Sequence, residues 1–299
     1  MNNMGGGKAV DFIEWSESMS VGNPSIDQDH KIIVKLINQL HQHVGVVEDR
    51  KALGSALNTL IDYTLYHFSR EERVMKACRY PLFEDHKRRH EKLIEQVVDI
   101  ARRFSEKKED TVKDEFLDFL KNWLINHILK QDMGFSPYAE NNPEVLDITE
   151  SLRTDSKQLK MLGADDLIPK SVNWNDAAIL VVSKSRNFRN IIACILEIAD
   201  VRGIQQYSHA DDAMQSLESH LPNLIVYGWK QDDQEAIPFI GKLREIKGSS
   251  FAGIPVLLIS AREERGAMES GLVAGATHCI EEPIGIQTFF EAAVKAINQ

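Results

Sequence analysis

The 299-residue sequence is poor in cysteine: Cys78, Cys194 and Cys279 are scattered without pairing spacing. That excludes a disulfide framework and a thiolate metal site, and reduced thiols in a cytoplasmic protein are the expectation. Long apolar runs are missing too. None approaches the roughly 20 residues a membrane span needs, so no membrane partner is expected. Residues 1–8 are rich in Gly and Asn and lack the apolar stretch of a secretory signal. Positive charge is short as well, with 35 Lys+Arg against 45 Asp+Glu and a net charge of −10. Binding a phosphate backbone needs a basic patch, so nucleic acid is excluded as the main partner.

The rest of the composition is that of a soluble globular chain, 43% hydrophobic and 27% charged. Its length allows two domains, each with its own core. Residues 12–143 predict an all-α antiparallel four-helix bundle. Its helical patterns run over about 26–47, 51–78, 83–105 and 111–133, the second stopping before Tyr80-Pro81. Residues 144–175 read as a polar, partly helical linker ending around Asn173-Trp174-Asn175. Residues 176–299 alternate five apolar strand-like runs with helical patterns. That grammar predicts an α/β doubly wound, five-stranded parallel sheet.

The histidines are concentrated in the bundle. His67 and Glu71 lie at i, i+4 on the second helix and share a face, as do His86 and His90 on the third. Glu72 lies about 100° around the helix and is the poorer inward candidate. His30 sits on the first helix, and His127 and Asp132 on the fourth. One HxxxH pair is weak evidence, since such pairs arise as surface contacts; His41 and His43, two apart, share no face and read as solvated. Five inward imidazoles and two carboxylates from four helices are different in kind, because each would need a partner if buried. Imidazole suits iron, zinc and copper, and a carboxylate can bridge two ions.

These residues also carry a resemblance. The segments Ile26-Asp27-Gln28-Asp29-His30-Lys31, His67-Phe68-Ser69-Arg70-Glu71-Glu72, His86-Lys87-Arg88-Arg89-His90 and Asn126-His127-Ile128, with Asp132, are similar to the bacterial hemerythrin pattern. Trp15 and Val21-Gly22 fit its lead-in. The resemblance implies two non-haem irons with an oxo or hydroxo bridge and O2 as ligand. His86, His90 and His127 would hold one ion. His30 and His67 would hold the other, leaving it an open position, and Glu71 and Asp132 would bridge. Ideal helix geometry turns His127 and Asp132 apart by about 140°, so a local distortion near Gln131 is expected. Ile33, Ile37, Leu120, Trp123 and Leu124 are candidates to line an O2 pocket.

The C-terminal part resembles the response-regulator receiver domain, a flavodoxin-like fold, through Pro222–Gly228, Pro255–Ala261 and Gly275 to Pro283. Receiver chemistry needs an acidic pair, a phosphoacceptor aspartate and a lysine. Here Ser183 and Lys184, Gly228 and Glu282 stand in those places, and only Ser260 keeps the switch hydroxyl. The reading is a pseudo-receiver without a Mg2+ cage. Asp232 and Asp233 read as solvated, or failing that as a displaced acceptor. The surfaces near Glu263–Val273 and Ile286–Ile297 are expected to meet partners.

The fusion favours an oxygen or redox sensor of bacterial type, signalling to an unspecified protein, with a homodimer compatible. The rivals are oxygen storage or delivery, peroxide or nitric oxide reduction at the same irons, and iron-level sensing. No enzyme turnover is expected on the leading reading.

Overall fold

The computed structural model describes residues 11–43, 50–105, 114–140, 142–146, 148, 168–230, 233–245, 251–261 and 265–299. The bundle helices are α1 (Pro24–His43), α2 (Arg50–Ala77), α3 (Phe83–Ser105) and α4 (Asp114–Asn126). A π-helical segment, His127–Asp132, joins α4 to α5 (Met133–Ala139). The sequence did not suggest α5 as a helix.

Local chemistry explains the ends. Asn23 Oδ1 accepts from the amides of Ser25 and Ile26 at the start of α1. α2 stops where Arg79 turns to φ 54, a left-handed exit from a helix. α3 carries Glu84 and Asp85 in its first turn and Arg102 and Arg103 in its last, signs that complement its dipole. Most of the linker falls outside the described residues, including Leu152, Leu159 and Leu162. Trp174 at its end is buried against Phe290, ring centroids 4.8 Å apart.

The second domain is β1 (Ala178–Val182), α6 (Arg186–Ile198), β2 (Gly203–Tyr207), α7 (Ala210–Ser216), β3 (Leu224–Trp229), α8 (Ala236–Glu245), β4 (Val256–Ala261), α9 (Arg265–Ala274), β5 (His278–Glu282) and α10 (Ile286–Ile297). All strand pairs are parallel, in the order β2-β1-β3-β4-β5. This is the flavodoxin-like order of receivers. Period-2 alternation sorts the strand residues. Leu180, Val182, Ile225, Tyr227 and Leu258 pack on one side with α7 and α8. Ile179, Val181, Val226, Leu257 and Ile259 face the other side, with α6 and α10.

That second face is continuous with the bundle: Leu36, Ile37 and Leu60 belong to the same apolar cluster as Ile191, Ile284 and Phe289. α2 packs against α6, β5 and α10, and α1 against α6. The residues 286–297, expected to face a partner, therefore lie partly against the chain's own bundle. Polar contacts tie the join. Gln39 Nε2 donates to Asn190 O at 3.3 Å and to Cys194 Sγ at 3.0 Å. Lys35 pairs with Glu197. The Ile284 amide donates to Ser55 Oγ at 3.1 Å, and the Ile286 amide to Asp62 Oδ2 at 2.8 Å. Among the described residues no helix is long and apolar enough to cross a membrane.

Candidate metal centre

All seven expected ligands are buried at one level of the bundle, none more than 3% exposed. α1 contributes His30, α2 His67 and Glu71, α3 His86 and His90, and the α4–π segment His127 and Asp132. The π-helix solves the awkward spacing. Its wider turn closes i to i+5 rather than i to i+4, which brings His127 Nε2 to 3.2 Å from Asp132 Oδ1.

Two donor groups result, one of His86, His90, His127 and Glu71 and another of His30, His67 and Glu71, each within 4.8 Å. Glu71 is common to both. Its Oε2 lies 3.2 Å from His90 Nε2 and 3.7–3.8 Å from His127, His67 and His86. Asp132 also spans the groups: Oδ2 faces His30 Nε2 at 3.3 Å, and Oδ1 faces His86 Nε2 at 3.3 Å.

The donor atoms are largely without protein hydrogen bonds. His30 Nε2, His67 Nε2, His86 Nε2 and all four carboxylate oxygens of Glu71 and Asp132 are buried and have no hydrogen-bond partner among the described residues. Two imidazole nitrogens, His90 Nε2 and His127 Nε2, face each other at 3.3 Å. Leaving so many buried polar atoms unsatisfied costs about 1–3 kcal/mol each, so the set fits cations held between the two groups. Burial pushes the Glu71 carboxyl upward, but the neighbouring His127 and His90 imidazoles outweigh it and hold it well below the usual range. Asp132 is likewise lowered, burial and the Glu71 charge being outweighed by His127, His30 and His86.

Two outward imidazole nitrogens have hydrogen-bond partners that the sequence reading missed, and a third has a carboxylate close behind it. His90 Nδ1 meets Glu72 Oε1 at 3.2 Å, and His127 Nδ1 meets Gln131 Oε1 at 3.2 Å. His67 Nδ1 lies 3.5 Å from Asp29 Oδ2. Tyr63 Oη and Arg70 Nη1 each donate to Asp29 Oδ1 at 2.8 Å. Such partners fix ring orientation and ligand basicity. They were findable: Glu72 was set aside for pointing off the inward face, which is where an outer partner belongs. Burial lowers the His67 imidazole; in His90 burial is outweighed by Glu71 and Glu72, which raise it.

Aromatic walls enclose the site. Phe68 stacks on His90 at 3.6 Å, and Trp123 on His127 at 4.9 Å. An apolar cavity lies one helical turn away, lined in part by Ile33, Ile37, Leu120, Trp123 and Thr64. Leu124 is buried but does not line it, and packs in the core instead. His41 is exposed and stacks on Phe12 at 4.3 Å; the His43 side chain lies outside the described residues.

The receiver positions are closed by protein groups. An added Cβ on Gly228 would sit 2.5 Å from the Phe188 ring, so this ring takes the space of an acceptor side chain. β3 runs on through Gly228 to Trp229, and Glu282 ends β5. Ser183 is buried, its carbonyl accepting from Arg189. Lys184 Nζ reaches Glu235 Oε1 at 3.1 Å and Asp233 Oδ1 at 3.7 Å. Asp233 is not solvated, contrary to expectation. It is 5% exposed, and its carboxylate accepts from Tyr227 Oη at 3.1 Å and the Glu235 amide at 2.8 Å. Asp232 lies outside the described residues. The Ser260 hydroxyl is fully buried, with no hydrogen-bond partner among the described residues.

Residues 21–139 match the model of the hemerythrin HHE cation binding domain. A bacteriohemerythrin of Stenotrophomonas maltophilia is 34% identical over 125 residues, which are 42% of this chain and 80% of that protein. A wild-type hemerythrin crystal structure is 31% identical, covering 43% of this chain and 98% of its own, with a TM-score of 0.41. A chemotaxis response regulator of Vibrio cholerae is 17% identical, covering 40% of this chain and 98% of its own, with a TM-score of 0.36.

Proposed function

Because this chain belongs to the hemerythrin family through its residues 21–139, we propose that it holds two non-haem iron ions, binds O2 reversibly and reports its oxygen or redox state through the receiver-like domain. The observation that carries the reading is the donor set: five buried imidazoles in two groups that share Glu71 and are spanned by Asp132. His86, His90 and His127 would hold one ion and His30 and His67 the other, so that one ion keeps a free position. When bound, the iron pair supplies the electrons that O2 accepts and returns.

The chain's own residues shape that chemistry. Glu71 and Asp132 would offset half of the charge of two ferrous ions, and burial favours a site whose charge is offset. A nitrogen-rich donor set favours binding over oxidation of a substrate, so the protein is a binder rather than an enzyme. Asp29, Glu72 and Gln131 hold their imidazoles with the inner nitrogen aimed at the centre. Ile33, Ile37, Leu120 and Trp123 keep bulk water from its approach.

Sensing is favoured over storage because α1 and α2, the helices bearing His30 and His67, pack on the receiver-like domain. A pocket closed by Phe188 and Lys184 leaves no place for phosphate chemistry, so the domain works as a docking module for a cytoplasmic signalling protein. Self-association into a homodimer belongs to the same proposal.

The test is to load the chain with ferrous iron without air, admit O2 and follow the visible spectrum through cycles of gas exchange. A charge-transfer band that appears with O2 and disappears on its removal is expected. Irreversible conversion to a ferric form would move the assignment to redox sensing or to peroxide or nitric oxide reduction.

A further inference from the structure

The last helix of the receiver-like domain lacks a cap of its own. Its N-cap residue is Gly285, which has no side chain to accept from the first amides. The acceptor comes from the other domain. Asp62 Oδ2, on α2 of the bundle, accepts from the Ile286 amide at 2.8 Å, and its carboxylate also meets the Gln287 amide. The glycine permits this: a Cβ on Gly285 would stand 2.4 Å from Asp62 Oδ2. Two turns earlier on α2, Ser55 accepts from the Ile284 amide, so the same helix grips both sides of the β5–α10 turn.

The adjacent residue looks the other way. Tyr63 Oη donates to Asp29 Oδ1 at 2.8 Å, and Asp29 Oδ2 stands behind His67 Nδ1 at 3.5 Å. His67 is one turn beyond Tyr63 on the same helix, and Glu71 one turn beyond that. A shift or rotation of α2 at its ligands therefore moves a buried run of polar contacts, the His67–Asp29 approach and the Tyr63–Asp29 hydrogen bond, that ends beside the cap. Burial favours a rigid response here, since Tyr63 is 2% and Asp29 1% exposed.

We infer that Asp62 is the joint between the domains: it caps α10 across the interface, and the chain His67–Asp29–Tyr63 ties that cap to the metal centre. The inference rests on the sensing reading and names the contact through which it acts. A two-state helix end is a suitable element, because losing one cap is a discrete event in a short stretch of backbone.

The test is hydrogen–deuterium exchange on the full chain loaded with iron, compared under argon, under O2 and after chemical oxidation. In the wild type, exchange of the Ile286 and Gln287 amides is expected to differ between states. Asp62→Ala should speed those amides by about fivefold, the size of a lost N-cap, and abolish the difference, with iron content unchanged. Gly285→Ala should do the same from the receiver side by displacing the Asp62 carboxylate while leaving every bundle residue unchanged in sequence, and Asp62→Asn, which keeps an acceptor, should restore protection. Tyr63→Phe should keep the protection but remove its dependence on state. A state dependence that survives both Asp62→Ala and Tyr63→Phe overturns the joint. Constant exchange at 286–287 while other amides of 178–297 respond also overturns it, yet leaves the sensing reading standing. If no amide of that domain responds, the sensing reading falls and takes the joint with it.

Discussion

The two halves of this chain each gather carboxylates and nitrogen donors in one place, and they balance the charge in opposite ways. In the bundle, His30, His67, His86, Glu71 and Asp132 aim buried atoms at one another without hydrogen bonds between them. In the receiver-like domain, Asp233 is equally buried, but Tyr227, the Glu235 amide and Lys184 surround it. Similar residue types thus make an open demand for cations in one half and a closed, self-satisfied cluster in the other. Buried polar atoms need partners, so the missing partner is the informative observation.

The comparison is broken most decisively at the metal. Chelating iron should cost the loaded chain on the order of 4 kcal/mol or more, the linkage expected when free metal exceeds its dissociation constant about a thousandfold. Thermal melts with iron and with chelator measure this. Glu71→Ala, which removes the carboxylate common to both groups, should abolish the shift and cut bound iron well below the wild-type content. Equal melting with and without metal would sink the claim that these atoms await cations.

Gly228→Asp probes the closed side. The new side chain meets the Phe188 ring at van der Waals overlap, so overpacking of about 1–3 kcal/mol is expected. Intact mass after incubation with a small phosphodonor should show no phosphate. A stable variant that takes up phosphate would mean the pocket is open after all. Asp29→Asn is a finer probe of the bundle. It keeps the shape behind His67 but weakens the acceptor, and iron affinity should fall by about 10–100-fold. Competition against a chelator of known affinity reads this directly; an unchanged affinity would make Asp29 a mere packing group.

How much of this was legible depended on period and type. The i, i+4 pairs His67/Glu71 and His86/His90 gave the ligand faces directly, and the strand–helix alternation gave the sheet. One feature followed only in part. The π-helix at His127–Asp132 was demanded by a spacing that an α-helix cannot serve, but its extent was not. Phe188 could not be foreseen as the plug at Gly228, because it arrives from a different element. The domain join was invisible for a related reason: Ser55 and Asp62 look like an ordinary solvated stripe on α2, and Gly285 like an ordinary turn residue. Only the fold brings them together.

Lys184→Met makes the smallest and most pointed change. Lys184 is nearly half exposed and Glu235 about a third, so their pair is screened and worth roughly 0.2–1 kcal/mol. Asp233 keeps its bonds from Tyr227 and the Glu235 amide without the lysine. Denaturant melts should therefore shift by less than about 1 kcal/mol, and iron content should not move. Set beside Asp29→Asn, this is the sharpest form of the comparison, since both variants alter one partner of a buried aspartate's ion pair. The bundle variant is expected to show in metal affinity because Asp29 stands behind a ligand, while the receiver variant touches a cluster that ends in itself. A large loss of stability in Lys184→Met would show instead that the lysine ammonium holds this pocket together, as a divalent cation would in a working receiver.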